Sequence, residues 1–348
     1  MQMSGDLVKN KIIVKKSKDV GRLYNKSNFG KPLTDNQLEL NLLEGVFLLA
    51  DEKIKIYSKK KEVSFRDLIK LAAGQIPGFE SKFLVFRDLR YRGLAVKLYD
   101  EKTFDLFIEK KEGEEPHFIQ VFSERYDFDV AKTKKSITTS KEKKGDLWFA
   151  IVDEEGDITY YDVSLIDIKG NIKKYKYEKD LGILLENRVL LFNEKLSKLL
   201  LEKEFFGKPF GSGLQLSLVE ALYLMEIGVL DIKEKAIGER LSLKKFQSII
   251  SKSQPDIKNR LFVFKDLKRR GLIVKTGFKF GAHFRAYSKK PDETHAEYLV
   301  HVVSKGFKSV WSEMSRAVRL AHSVNKEIVF ARIDVKKIDY IRLGRLRP

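Results

Sequence analysis

Apolar positions along the chain recur at two spacings, and the spacings alternate in the same order in the two halves. Leu218, Val219, Leu222 and Met225 repeat at helical spacing. That helix carries its own start signal. In Ser217-x-x-Glu220, and again in Asn41-x-x-Glu44, side chains can satisfy the partnerless N–H groups of a first turn. Second capped helices are predicted from near Ser64 and Ser242. A third, basic helix runs through Phe264 and Leu267 and stops at Gly271, as a C-terminal glycine dictates. After Gly271 the period drops to two, so Leu272 to Lys275, Phe284 to Tyr287 and Tyr298 to Val303 read as strands. Phe307 to Ser323 reads as an amphipathic helix with Phe307, Val310, Trp311, Met314, Val318 and Ala321 on one face. Ile328 to Ile333 and Tyr340 to Leu343 are further strands. Short β-prone stretches, Lys11 to Val14 and Arg188 to Phe192, precede the first helix of each half.

Words recur as well as periods. Phe29-Gly30-Lys31-Pro32 returns as Phe206-Gly207-Lys208-Pro209, and the run from Val85 to Lys97 returns as Val263 to Lys275. Trp148 to Asp153 falls on Val329 to Asp334. The chain is therefore a tandem duplication. The repeats are placed at 1–170 and 181–348, with a linker at 171–180. Each is expected to hold a small helical N-terminal subdomain (1–91 and 181–269) and a C-terminal α/β subdomain with a mixed sheet (92–170 and 270–348). The fold class is mixed α+β.

Charge gives the first functional hint. Over 348 residues, 68 Lys and Arg face 49 Asp and Glu, a net charge of +19. Such an excess repels itself, and nucleic acid is the polyanion that best explains it. The absence of cysteine excludes disulfides, cysteine–zinc sites, iron–sulfur clusters and thiol nucleophiles. Together with abundant Lys and Glu it also fits heat adaptation. No apolar run approaches the ~20 residues that cross a bilayer; the best, Leu42 to Ala50, contains Glu44 and Gly45. The N-terminal residues form no apolar secretory segment, so the expected location is the cytoplasm, with no membrane partner.

A duplicated chain supplies its own comparison, because residues found in one copy alone are candidates for a task done once. Phe284-Arg285-Ala286-Tyr287 is set against Phe104-Asp105-Leu106-Phe107, so the ring stays and the hydroxyl is lost. His295 is set against His117, and Lys326 against Gly145. Gly277-Phe278-Lys279-Phe280-Gly281 has no counterpart in Leu98 to Thr103. Copy two thus holds Tyr287, His295 and Lys326 together, each next to a strand end, where side chains converge on one mouth. Singly, they read as a strand tyrosine, a surface histidine and a cation at a helix C-terminus. Jointly, without paired carboxylates, they suit metal-free cleavage of an RNA phosphodiester. The ribose 2′-OH is an internal nucleophile that needs a base, the departing 5′-oxygen needs an acid, and the phosphorane needs a cation.

At this point the chain resembles the archaeal tRNA-splicing endonuclease family, in its two-repeat, homodimeric form. The matching words are Phe206 to Pro209, Leu216 to Leu224, Arg270 to Gly281 and His295 to Val300, and the likeness covers nearly the whole chain. The resemblance implies a restriction-endonuclease-like α/β subdomain and a catalytically silent first repeat. It implies Tyr287 as general base, His295 as general acid and Lys326 as the cation facing the phosphorane. Phenols ordinarily ionise near pH 10, so this role asks for cations near the ring, from Lys326 and neighbouring arginines. It further implies a precursor tRNA substrate cut at bulge–helix–bulge junctions, 2′,3′-cyclic phosphate and 5′-OH ends, and no metal or other cofactor. Two arginine planes are implied to clamp a bulge base; Arg319, seven residues before Lys326, matches the first, and Arg342 is the choice for the second. The acidic loop Asp153-Glu154-Glu155-Gly156-Asp157 is implied to dock on the other chain of a homodimer.

Two readings from other classes stay open. One is a non-catalytic RNA-binding subunit that needs a partner. The other is a metal-dependent DNase, which asks for clustered carboxylates around Mg²⁺; near the site the second copy offers Glu297 and Asp292. The sequence assigns no role to His283 or His301.

Overall fold

Asn41 and Ser217 start the helices Leu42–Ala50 and Leu218–Glu226. Asn41 Oδ1 accepts from the Glu44 N–H at 3.0 Å, and Ser217 Oγ from the Glu220 N–H at 3.4 Å. Each glutamate reaches back to the N–H of its cap residue. Its other carboxylate oxygen accepts from a glycine N–H, Gly30 at 2.8 Å or Gly207 at 3.0 Å. Both glycines have positive φ, 71° and 57°, and a Cβ at either would run into the carbonyl of Glu39 or Gln215. One buried carboxylate thus joins a tight turn to a helix start, which is why the Phe-Gly-Lys-Pro word occurs twice. Burial raises the pKa of Glu44, against the pull of these N–H donors and of Arg90.

The structure is a computed structural model that describes residues 2–99, 101, 103–109, 115–173, 175–234, 238–290 and 296–348. Its contacts divide the chain into two units. The first comprises Met1–Ser164, Lys308–Met314 and Arg345–Pro348. Its N-terminal sheet runs in the order Lys31–Pro32, Leu38–Asn41, Lys11–Val14, Met3–Val8, Ile54–Ser58, Lys61–Glu62. A second sheet follows the helices Phe65–Gln75 and Phe79–Tyr91. Its strands are Val96–Leu98, Leu106–Ile108, His117–Ser123, Asp146–Val152 and Ile158–Leu165, with His117–Ser123 and Asp146–Val152 parallel and the helix Val130–Glu142 crossing between them.

The second unit, Leu165–Phe307 with Ser315–Gly344, repeats this plan. Its N-terminal sheet runs Lys208–Phe210, Gly213–Ser217, Arg188–Leu191, Asp180–Leu185, Leu230–Glu234. Ser242 caps the helix Leu243–Ser253 through the Lys245 N–H. The basic helix Ile257–Arg269 ends at Gly271, whose φ is 78°. One core joins Val189, Leu216 and Leu222 through Phe264 and Leu267 to Val274, Ala286, Val300 and Val329. The helix Ile257–Arg269 packs on the helix Leu218–Glu226 on one side and on the strands Ile273–Thr276 and Tyr298–Ser304 on the other, and each fully buried Phe or Leu contributes about 1.5–3 kcal/mol. Among the described residues no helix is long and apolar enough to cross a membrane.

One predicted element is corrected. The helix expected from Phe307 begins at Trp311. Lys308–Val310 is a strand, antiparallel to Asp127–Asp129, with Val310 opposite Asp127. Val310 and Phe307 match the helical period, but a β-branched residue with a waiting backbone partner pairs instead. Trp311 is buried in the first unit, with ring centres of Phe122, Phe128, Phe149 and Tyr161 at 5.7, 5.5, 5.8 and 5.9 Å.

Candidate active site

The second sheet of the second unit runs Ile273–Thr276, Phe284–Tyr287, Tyr298–Ser304, Glu327–Asp334, Lys337–Leu346. Tyr287 ends its strand, opposite Ile273. Ala286 stands opposite Tyr298, and the Glu297 N–H donates to the Ala286 carbonyl at 3.1 Å. Tyr298 in turn stands beside Glu327 in a parallel pair, and the Glu327 N–H donates to the Glu297 carbonyl at 2.8 Å. The end of one strand and the starts of the next two therefore lie side by side. Tyr287 occupies the first place, and Lys326 immediately precedes the third. His295 lies outside the described residues. Ala296, its neighbour in the chain, is buried with Tyr287 and Ile273, and Ile172 and Phe205 pack on that group.

Lys326 is held at its backbone and at its tip. Its N–H donates to the Ala321 carbonyl at 2.9 Å, ending the helix Trp311–Ser323, and Nζ donates to the Val324 carbonyl at 3.1 Å. Nζ also lies 5.4 Å from the centre of the Phe280 ring. Tyr287 is 8% exposed, and the Arg285 guanidinium carbon lies 5.9 Å from the centre of its ring. Among the described residues, the Arg285 Nε is buried without a hydrogen-bond partner.

The pairing registers correct the alignment of the two copies. Lys97 and Lys275 are equivalent from the repeated sequence. Lys97 stands opposite Phe107, and Lys275 opposite Arg285. The place of Tyr287 in the first repeat is therefore taken by Glu109, and not by Phe107. Across the next pair, His117 stands beside Asp146 as Tyr298 stands beside Glu327. His117 thus occupies the place of Tyr298 and not that of His295. The match of Lys326 with Gly145 holds, and a Cβ at Gly145 would lie 2.6 Å from both a Phe118 ring carbon and the Pro116 carbonyl. The first repeat has no room for a lysine side chain there.

The same registers explain His283 and His301. His283 Nδ1 accepts from the Val302 N–H at 3.0 Å, as Asp105 Oδ2 accepts from the Val121 N–H at 2.8 Å in the first repeat. His283 Nε2 lies 3.4 Å from Asp256, as Asp105 pairs with Lys82 at 2.8 Å. His283 is a pin between helix and strands. His301 stacks on Phe330 at 5.4 Å, and burial, reinforced by His283, pushes its imidazole down to about 4. The fold therefore keeps His301 neutral while the unfolded chain takes up a proton near pH 6.5. As pH falls from about 6.5 to about 4, this group withdraws stability, on the order of 3 kcal/mol in all. Gln120 fills the matching position and donates to the Thr103 carbonyl at 2.8 Å. His301→Gln is expected to flatten the acid loss. Urea unfolding at pH 7.5 and pH 4.5 reads this, and parallel slopes in the two proteins would contradict it.

The structure separates the two arginines. Arg319 is exposed on the helix before Lys326. Arg342 stands opposite Val329, on the face that carries the core, and pairs with Glu327 at 3.1 Å. Tyr287 alternates with the core residue Ala286 and so stands on the other face. The sheet does not bring Arg342 together with Tyr287. In the first unit, Asp153 braces its own loop by accepting from the Glu155 and Asp157 N–H groups, and Glu154 pairs with Arg125. Glu155 and Asp157 remain exposed.

Comparison with known proteins matches two family descriptions, each twice. One is the tRNA intron endonuclease N-terminal domain, at residues 3–69 and 181–246. The other is the tRNA intron endonuclease catalytic C-terminal domain, at residues 79–160 and 257–340. A protein of Methanococcoides burtonii named tRNA-splicing endonuclease is 38% identical over 354 residues, covering 99% of this chain and 100% of its own. Proteins of the same name from Methanosarcina mazei and Halobacterium salinarum are 32% and 30% identical, each over 94% of this chain and 94% and 95% of their own.

Proposed function

The chain belongs to the tRNA intron endonuclease family, and from that premise we propose how its second repeat cuts precursor tRNA. Tyr287 accepts the proton of the 2′-OH beside the scissile phosphate. The 2′-oxygen bonds to phosphorus, the bond from phosphorus to the 5′-oxygen breaks, and His295 returns a proton to that oxygen. Lys326 faces the negative charge gathered on the phosphorane. One proton enters the protein and one leaves it, so the products are a 2′,3′-cyclic phosphate and a 5′-OH, with no metal in the balance. The observation that carries this reading is placement: Tyr287, Ala296 and Lys326 lie at adjacent ends of three neighbouring strands.

The substrate is a bulge–helix–bulge in cytoplasmic precursor tRNA. A-form RNA hides its base edges in a deep groove, so recognition rests on shape, phosphates and splayed bulge bases. Arg319 supplies one stacking plane. Arg342, proposed for the second, starts from the face opposite Tyr287 and from its pair with Glu327. The catalytic repeat is 181–348, the silent one 1–170, and 171–180 links them. Purified protein, incubated with a synthetic bulged RNA in EDTA, is expected to release fragments with cyclic-phosphate and 5′-OH ends. Activity lost in EDTA and restored by Mg²⁺ would overturn the metal-free step.

The working form is a homodimer in which the acidic loop of one chain docks on the other. Glu155 and Asp157 are its outward charges, because Asp153 is spent inside the loop and Glu154 on Arg125. Asp157→Lys is expected to lower the mass seen by light scattering toward the 40.3 kDa of one chain, most strongly at high salt. A dimer mass unchanged by the substitution would count against the docking role.

A further inference from the structure

Among the described residues, Phe278 is the most exposed large apolar side chain, at 86%. A loose loop is not the cause. Around it, Phe280 N–H donates to the Gly277 carbonyl at 2.8 Å, Gly281 N–H to Phe278 at 3.1 Å, Ala282 N–H to Gly277 at 3.3 Å, and Gly277 N–H to His283 at 3.1 Å. The turn closes through Gly281 at a φ of 64°. The two rings of this turn have opposite surroundings. Phe280 lies under Nζ of Lys326, and Phe278 stands in solvent beside the exposed Lys279. The fold thus spends a fixed, hydrogen-bonded turn on holding a bare phenyl ring two residues from the one that packs against the candidate catalytic lysine.

The first repeat sharpens the point. Leu98 and Leu106 pair with each other as Thr276 and Phe284 do, so the connecting loops have equal length. At the same count the first repeat reads Tyr99-Asp100-Glu101-Lys102-Thr103. Acids stand where the second repeat has Phe278 and Lys279. The aromatic and basic tip therefore goes with the repeat that carries Tyr287 and Lys326.

We infer that Phe278 is a stacking platform for an unpaired base of the RNA next to the scissile phosphate. The inference rests on the catalytic reading above and adds to it a residue that positions substrate. Three features favour a nucleobase as occupant. An exposed ring on a fixed turn offers a face that any base can cover. Lys279, its neighbour in the turn, is an exposed cation suited to a flanking phosphate. Phe280, two residues further along the same turn, has its ring centre 5.4 Å from Nζ of Lys326, which ties this turn to the proposed reacting group.

Full-length wild type, Phe278→Ala and Phe278→Trp are compared on a bulged RNA in EDTA. Binding is measured in parallel on the same RNA blocked by a 2′-O-methyl group at the cleaved position. Phe278→Ala is expected to lose about 5- to 150-fold in kcat/KM, with matching loss of affinity for the blocked RNA. Phe278→Trp, which also stacks, is expected to restore both. Phe278→Ala that cuts and binds like wild type overturns the inference and leaves the catalytic reading standing. So does a Trp variant as weak as the Ala variant, which would make the loop's shape the relevant property. A Phe278→Ala protein whose light-scattering mass falls below that of wild type also overturns it, because the ring would then be covered by a second copy of the chain. Wild type that neither binds nor cuts the RNA overturns the catalytic reading and the inference together.

Discussion

Replacing His295 with Ala is expected to slow cleavage of a bulged precursor RNA by about 10²–10⁴-fold while leaving affinity for the RNA in place. A 5′-alkoxide is a poor leaving group, and without a positioned acid the phosphorane must expel it unprotonated or wait for water. The loss belongs to the chemical step, so it appears in single-turnover rates at saturating protein. A substrate whose 5′-oxygen is replaced by sulfur separates this role from a structural one. A thiolate leaves without protonation, and the variant is expected to regain most of its rate on that RNA. Equal slowing on both substrates would remove His295 from the role of acid, and normal turnover on the natural substrate would remove it from the site.

Asp339→Thr is expected to destabilise the protein by about 3 kcal/mol, although it touches neither substrate nor site. In the hairpin Glu327–Asp334 and Lys337–Leu346, the buried Arg332 donates to Asp339 at 2.9 Å and to Asp334 at 3.0 Å. Asp339 is as buried as Arg332, whereas Asp334 is more exposed. Removing Asp339 leaves a buried guanidinium with its weaker partner. In the first repeat, Ile151 stands opposite Thr159 at the matching register, so that pair shows what the hairpin accepts without charge. The double variant Arg332→Ile, Asp339→Thr is therefore expected to recover most of the loss, because an ion pair replaced whole by apolar packing costs little. Urea midpoints of the four proteins close the cycle. A double variant as unstable as Asp339→Thr alone would show that the hairpin needs the charges themselves.

These sites were legible to different degrees. The capping glutamates could be read directly, because Asn41-x-x-Glu44 and Ser217-x-x-Glu220 act within one turn. That the same carboxylates also hold Gly30 and Gly207 was hidden, since the glycines approach from another element. The counterpart of Tyr287 was misread by two positions. Side chains on a strand alternate with period two, so a slip of two leaves every apolar and polar position in phase, and only the pairing of Lys97 with Phe107 exposes it. The start of the helix at Trp311 was misplaced for a related reason: the strand partner of Lys308–Val310 lies in the other repeat, beyond any local window.

By itself, the sequence determined the duplication, the helix starts, the basic character and the family, because repeated words, caps and composition are properties of short stretches or of the whole count. Tertiary structure alone decided that Gly145 has no room for a side chain, that His283 stands in for Asp105 as a strand acceptor, and that Arg342 faces away from Tyr287. Each of these depends on which strand lies beside which and on which face a side chain emerges, and such contacts are set by partners distant in the chain, whose pairing no local periodicity records.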